Sequence, residues 1–223
     1  MPDYQHHWKD GTPVHLPLGK IVCIGRNYAE HARELNNPVP TEPLLFIKPA
    51  TSVVPMTPPI ELVQGRGPVH YETEIALLIG APLTGLVSDQ EAEEAIVGVG
   101  LALDLTLREL QDQLKSKSHP WERAKCFDGA CPLSPFVPKA EAGDLHALAL
   151  QLDINGERRQ YGTAAEMITP IVALLRHIAT QFTLLPGDVV ITGTPAGVGV
   201  LNPGDALSLA IPGRLQVDTR IAG

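Results

Sequence analysis

Glu72-Thr-Glu74 lies inside Val69–Ile79, a run patterned like a strand. Side chains alternate along a strand, so Glu72 and Glu74 emerge on one face, and Thr73, Ile75 and Leu77 on the other. Two carboxylates this close repel and shift each other's proton affinity. A solvated face would relieve the repulsion, and it is the usual fate of glutamate in a strand. Ala76 and Leu78 continue the same row, however, and would be wetted with the glutamates. A cation resolves the conflict. A third acid, Asp104, stands alone in Gly-Leu-Ala-Leu-Asp-Leu-Thr. A carboxylate there is costly unless it is paired or metal-bound. Three oxygen ligands with no His or Cys beside them suit Mg²⁺ or Mn²⁺, which keep waters that a substrate can displace. Spacing alone does not bring Asp104 to Glu72.

His31 and Glu34 are three residues apart on a short helical segment and share a face. A carboxylate beside an imidazole orients it and raises its basicity, as a water-activating base requires. The bland alternative is a surface helix pair. Lys48 in Phe-Ile-Lys-Pro and Lys125 in Arg-Ala-Lys-Cys-Phe-Asp sit among apolar or proline-bounded residues, where a buried ammonium needs an anion. For Lys125 that anion could be a neighbour such as Asp128. Gly193-Thr-Pro-Ala-Gly-Val-Gly199 follows a strand but lacks the Gly-Lys-Ser/Thr ending of a phosphate loop. Its backbone N–H groups and the Thr194 hydroxyl can hold a carboxylate; a plain turn is the alternative.

The elements that must position these groups are short. Residues 20–25 read as a buried strand. Asn27 then caps a helix to about Leu35, with Glu30 reaching back. Leu44 to Ile47 is a strand, and Val69 to Ile79 a longer one. Ser88 with Glu91 opens a helix through about Val97, and Gly98 to Leu105 is extended. Asn155-Gly156 is a hairpin turn between Leu148–Ile154 and Arg158–Tyr161. Thr169-Pro170 starts a helix with Ile171, Leu174, Leu175, Ile178 and Phe182 on one side. The two Pro-Gly-Asp turns, at 186–188 and 203–205, each lead into a strand, Val189 to Thr192 and Ala206 to Ile211. With 21 prolines and 20 glycines, the pattern is α+β, mainly β.

The bulk properties narrow the function classes. The 223 residues carry 44% hydrophobic and 19% charged side chains, enough for a buried core. A net charge of −8 without a basic cluster argues against a nucleic-acid partner. It also means that a small anionic substrate must be held by local cations. The longest apolar run, Ile75–Ile79, is too short to cross a bilayer. The polar N-terminus does not read as a signal peptide. Cys23, Cys126 and Cys131 match neither a disulfide framework nor a zinc site, so the expectation is a cytoplasmic protein with free thiols.

Seven segments together resemble the fumarylacetoacetate hydrolase family: Gly25-Arg-Asn-Tyr-Ala-Glu-His31, Leu45-Phe-Ile-Lys-Pro49, His70-Tyr-Glu-Thr-Glu74, Ala102-Leu-Asp-Leu-Thr106, Ala124-Lys-Cys-Phe-Asp128, Cys131-Pro132 and Ile191-Thr-Gly-Thr-Pro-Ala-Gly-Val-Gly199. They span roughly residues 20 to 220 in family order, and the likeness is greatest to the small acylpyruvase and oxaloacetate decarboxylase-like members. The resemblance implies a mixed β-sandwich roll, with a catalytic domain at 20–223 and residues 1–19 as a segment packed on it. It also implies a homodimer that binds Mg²⁺ or Mn²⁺ and a small 2-oxo acid. Carried over, Glu72, Glu74 and Asp104 are metal ligands. His31 and Glu34 are a water-activating dyad on a lid helix, and Lys125 faces the reacting oxygen. Gln111 and Thr194 contact substrate, with Arg26 and Lys48 in the same pocket. Cys126 departs from the small residue that relatives often carry there. The implied activity is C–C hydrolysis of 2,4-dioxo acids through a pyruvate enolate stabilised by metal charge and Lys125. Oxaloacetate decarboxylation, enol–keto tautomerisation and isomerisation of a 2-hydroxy-diene dioate use the same site. A non-catalytic dimeric binding protein would predict broken ligands, and none is broken.

Overall fold

The computed structural model describes residues 4–35 and 37–223. The strands are β1 (Ile21–Gly25), β2 (Leu44–Lys48), β3 (Val53–Pro55), β4 (His70–Tyr71), β5 (Thr73–Ile79), β6 (Ile96–Leu103), β7 (Cys131–Leu133), β8 (Val137–Pro138), β9 (Ala149–Ile154), β10 (Glu157–Thr163), β11 (Val189–Ile191), β12 (Gly199–Val200), β13 (Ala206–Ile211) and β14 (Leu215–Arg220). The helices are α1 (Ala29–Glu34), α2 (Asp89–Glu94), α3 (Arg108–Ser116), α4 (Glu122–Lys125), α5 (Lys139–Ala142) and α6 (Ile171–Gln181). The larger sheet has eight strands in the order β2-β1-β11-β5-β6-β7-β3, with β8 beside β6. Its β1–β11 and β3–β7 pairs are parallel. An antiparallel sheet of four strands, β10-β9-β13-β14, packs on it. The α+β, mainly β architecture expected from the sequence is the one found.

The large sheet is buried on both faces. On one face Ile75, Leu77, Val99 and Leu101 share a core with Leu150, Leu152, Leu207 and Leu209 of the smaller sheet and with Leu174 and Ile178 of α6. On the other, Ala76, Leu78, Ala102, Cys131 and Ile191 pack under Val14, Trp8, Leu16 and Leu18 from the N-terminal segment. The row that Ala76 and Leu78 share with the two glutamates is thus dry. All three cysteines are unpaired thiols, two of them buried. Among the described residues no helix is long and apolar enough to cross a membrane.

Several elements differ from the sequence reading. The run 69–79 is not one strand. It breaks at Glu72, where the chain leaves the β4–β12 ribbon and enters the large sheet. The Ser88–Glu91 capping box forms, but α2 ends at Glu94 because Ile96 and Val97 are taken into β6. Asn27 does not cap α1; Tyr28 holds that position without a side-chain bond. The Asn27 amide is used elsewhere: it donates to the Thr169 and Thr192 carbonyls and accepts from Thr169 N, tying the start of α1 to β11 and α6. These three bonds outcompete a local cap: the one to the Thr192 carbonyl is fully buried and the two to Thr169 partly so, and a buried backbone group left unpaired is costly. Asn155 and Gly156 both take positive φ, 53° and 80°, as a two-residue hairpin turn requires.

His6 fastens the N-terminal segment. It is fully buried, Nε2 lies 3.1 Å from the Gly187 carbonyl, and Nδ1 has no partner among the described residues. The rings of Tyr4 and Phe136 stand edge-on to it, and His7 is its neighbour in the chain. Burial lowers the His6 pKa, against a smaller upward effect of the Gly187 carbonyl. The unfolded chain therefore binds this proton more readily. The stability is present above the ordinary imidazole value and is lost as pH falls toward the folded one. A tenfold change in proton affinity is worth about 1.4 kcal/mol, or roughly 3–6 °C in a domain of this size. The melting temperature should fall between pH 8 and pH 5.5 by several degrees more in wild type than in His6→Asn. Parallel curves for the two proteins would remove His6 as the cause.

Candidate metal centre and active site

The ladder between β5 and β6 assembles the acids. Glu74 pairs with Ala102 and Thr73 with Leu103, and the pairing runs on as Asp104 N donates to Glu72 O at 2.8 Å. This register sets Asp104 opposite Glu72. Carboxylate oxygens of Glu72, Glu74 and Asp104 all lie within 4.8 Å of one another, and each residue is at most 5% exposed. Two of the three are balanced by side-chain cations. Lys125 Nζ donates to Glu72 Oε2 at 2.8 Å, Asp104 Oδ2 at 2.6 Å and Thr106 Oγ1 at 2.7 Å. Arg108 pairs with Glu72 and donates to Gln111 Oε1 at 2.8 Å. Lys48 Nζ stands 2.9 Å from Asp104 Oδ1.

Glu74 has no such partner among the described residues, where its side chain accepts only from Gly193 N, at 2.7 Å. Burial, then Asp104 and Glu72, push its carboxyl well above the usual range. Burial acts the same way on Glu72, but Lys125, Arg108 and His31 overcome it and hold that carboxyl far below. The all-oxygen donor set and the uncompensated Glu74 fit a hard divalent cation. The loop at 193–199 serves this centre rather than a phosphate. Gly193 N holds Glu74, and Gly197 N holds Glu34 Oε1 at 3.0 Å. Gly193 has φ +91°, and a Cβ there would meet Asn27 Cβ at 2.7 Å, so the loop needs glycine at that point.

A cavity opens beside the acids. Its wall includes Glu72, Glu74, His31, Thr194, Gln111 and Lys125, and it adds the cations Arg26, Arg108 and Lys115. Arg26 has φ 66° in the turn from β1 to α1. His31 Nδ1 is 3.3 Å from Glu34 Oε2. Burial lowers the His31 pKa against the pull of Glu72 and Glu34, which keeps the ring neutral near pH 7. The expected residues thus converge, with one exception. Lys48, expected in the substrate pocket, is fully buried behind Asp104, with its ammonium also bonded to the Lys125 and Ala130 carbonyls. It is a positioning group for Asp104 and does not reach the cavity wall. Arg108, Thr106 and Gln160 were not singled out in the sequence. Arg108 lies four residues after Asp104, on the first turn of α3.

The family model for the fumarylacetoacetate hydrolase C-terminal region matches residues 20–222. The chain belongs to the fumarylacetoacetate hydrolase family. Among its relatives, this family member is 47% identical to the oxaloacetate tautomerase YcgM of Escherichia coli (strain K12), over 98% of this chain and 99% of that protein. It is 40% identical to the mitochondrial oxaloacetate tautomerase of Bos taurus, over 90% of each chain. A fumarylpyruvate hydrolase from Pseudomonas aeruginosa, solved with Mn²⁺ and pyruvate, superposes with a TM-score of 0.91 at 33% identity, over 98% of this chain and 95% of the other.

Proposed function

We propose that this family member is a divalent-metal-dependent enzyme of small 2-oxo dicarboxylic acids, and that its leading activity is enol–keto tautomerisation of oxaloacetate. The cavity wall carries this reading: Arg26 and Lys115 line it in addition to Arg108 and Lys125, which pair with the acids. On an acidic protein such a cluster favours a dianion over a singly charged acid. The likeness to two oxaloacetate tautomerases supports it.

Glu72, Glu74 and Asp104 would hold Mg²⁺ or Mn²⁺, which when bound would polarise the 2-oxo group and offset enolate charge. Thr194 donates its hydroxyl to the 1-carboxylate, and Arg26 takes the distal one. Neutral His31 accepts a proton from C3 of the keto form, Glu34 keeping the ring oriented. Lys125 directs its ammonium to where negative charge gathers on O2. Delivery of the proton to O2 completes a transfer with no net gain or loss of atoms.

The His31–Glu34 geometry favours hydrolysis of 2,4-dioxo acids as a second reading. Glu34 is held by Gly197 N on one oxygen and faces His31 Nδ1 with the other. That dyad can deprotonate a water, which attacks C4. The C3–C4 bond then breaks to a carboxylic acid and a pyruvate enolate. The likeness to fumarylpyruvate hydrolase supports this reading.

Enol absorbance decides between the two. With Mn²⁺, enol-oxaloacetate should disappear faster than in buffer with Mn²⁺ alone. Glu34→Ala should cost acetylpyruvate cleavage on the order of 10²–10⁴-fold, the usual worth of a general base, and tautomerisation less than about tenfold. Cleavage of acetylpyruvate without any acceleration of ketonisation would overturn the leading reading and leave the second.

A further inference from the structure

We infer that Gln160 is a positioning residue that fixes the Thr194 hydroxyl as a donor to the substrate carboxylate. The inference rests on the role proposed above for Thr194.

Gln160 belongs to β10, on the smaller sheet, and reaches the site because of a bulge. Glu157 pairs with Ile154 and Arg158 with Asp153, but Gln160, not Arg159, pairs with Leu152. The extra residue reverses the alternation. In regular register Gln160 would oppose Gln151 and share its half-exposed row. With the bulge it opposes buried Leu152 and is 1% exposed.

Its amide bridges two parts of the centre. Oε1 accepts from Thr73 N at 3.0 Å, between Glu72 and Glu74. Nε2 donates to Thr194 Oγ1 at 2.8 Å and to the Pro195 carbonyl at 2.9 Å. The orientation of the amide follows from its partners. A backbone N–H can only donate and a carbonyl can only accept, so the oxygen must face Thr73 and the nitrogen Pro195. Thr194 Oγ1 therefore accepts from Gln160. Its own hydrogen is left to donate, and it meets no acceptor among the described residues. Thr194 is 2% exposed and lines the cavity, so that donor is directed where a carboxylate would lie. A glutamate at 160 would reverse the polarity: unable to donate, it would take the Thr194 hydrogen itself.

The test is pyruvate affinity by calorimetry at saturating Mn²⁺, with melting temperatures on the same preparations. Thr194→Val should weaken binding roughly tenfold to a hundredfold, as loss of one hydrogen bond to a charged group does. Gln160→Glu should weaken it to a similar extent, Gln160→Met by less, and the Thr194→Val/Gln160→Glu double variant no more than Thr194→Val alone. Equal losses in both backgrounds would make Gln160 merely structural and end the inference. Near-normal affinity in the Gln160 variants, with Thr194→Val impaired, would end it while leaving the Thr194 reading intact. Normal affinity in Thr194→Val would remove that reading and the inference with it. If Gln160→Glu does not fold, Gln160→Met decides: it must weaken binding severalfold in wild type and not at all in the Thr194→Val background.

Discussion

Glu74→Gln is expected to abolish metal-dependent activity and to raise the melting temperature of the metal-free protein. The substitution keeps the shape, and Oε1 of the amide can still accept from Gly193 N. It deletes a carboxylate that is 1% exposed and, among the described residues, has no side-chain cation paired with it. Burial and the neighbouring acids push this carboxyl well above the usual range, so either keeping it charged or protonating it at neutral pH costs the fold, and a neutral amide avoids that cost. The same charge is what a divalent ion would use. A ligand bound only to the folded state contributes about 2.7 kcal/mol at a hundred times its Kd, or roughly 5–10 °C in a domain of this size. MnCl₂ should give wild type a shift of this order and Glu74→Gln little or none. Activity should fall on the order of 10³-fold or more, since Lewis-acid stabilisation is worth several kcal/mol. An equal Mn²⁺ shift in both proteins would show that the ion binds elsewhere.

The legibility of this centre in the sequence follows the range of the interactions involved. Glu72 and Glu74 are visible because strand alternation is local and because Ala76 and Leu78 deny their face to water. The meeting of Asp104 with Glu72 depends on the register of β5 against β6, set by the core on both faces of the sheet. No spacing rule encodes it. Lys48 stands out as a lysine among apolar residues, but which side of the sheet it enters is a tertiary fact. Gln160 is hidden by its bulge: a regular reading of β10 turns it outward. Arg108 reads as an ordinary helix residue until α3 is docked and its guanidinium meets Glu72. Turn chemistry, by contrast, acts within a few residues. The Asn155-Gly156 hairpin and the Ser88–Glu91 capping box form where their sequences place them. Asn27 marks the boundary between the two cases, since buried carbonyls distant in sequence claim the amide that a local rule assigns to the helix.

Lys125→Met should lower kcat by about 10²–10³-fold, comparable to the loss of one oxyanion-hole donor, and should leave KM nearly unchanged. An interaction that strengthens only as enolate charge develops acts on kcat alone. The structure changes how this must be measured. The alternative partner suggested by the sequence, Asp128, is not the one found; Lys125 bonds Glu72, Asp104 and Thr106, all buried. Methionine keeps most of the stem but strips two carboxylates of a shared ammonium. Removing one partner of a buried ion pair costs about 3–5 kcal/mol, which corresponds to a drop on the order of 10 °C in the metal-free protein. Lower stability therefore accompanies the variant whether or not Lys125 takes part in the chemistry, and it cannot separate the two roles. Saturating Mn²⁺ can, because added positive charge among the same carboxylates should recover much of the lost stability. A catalytic lysine leaves kcat depressed after that recovery, equally for ketonisation of enol-oxaloacetate and for cleavage of acetylpyruvate, since both develop charge on the same oxygen. A lysine that only holds the acids in place gives a variant whose kcat returns to normal together with its melting temperature.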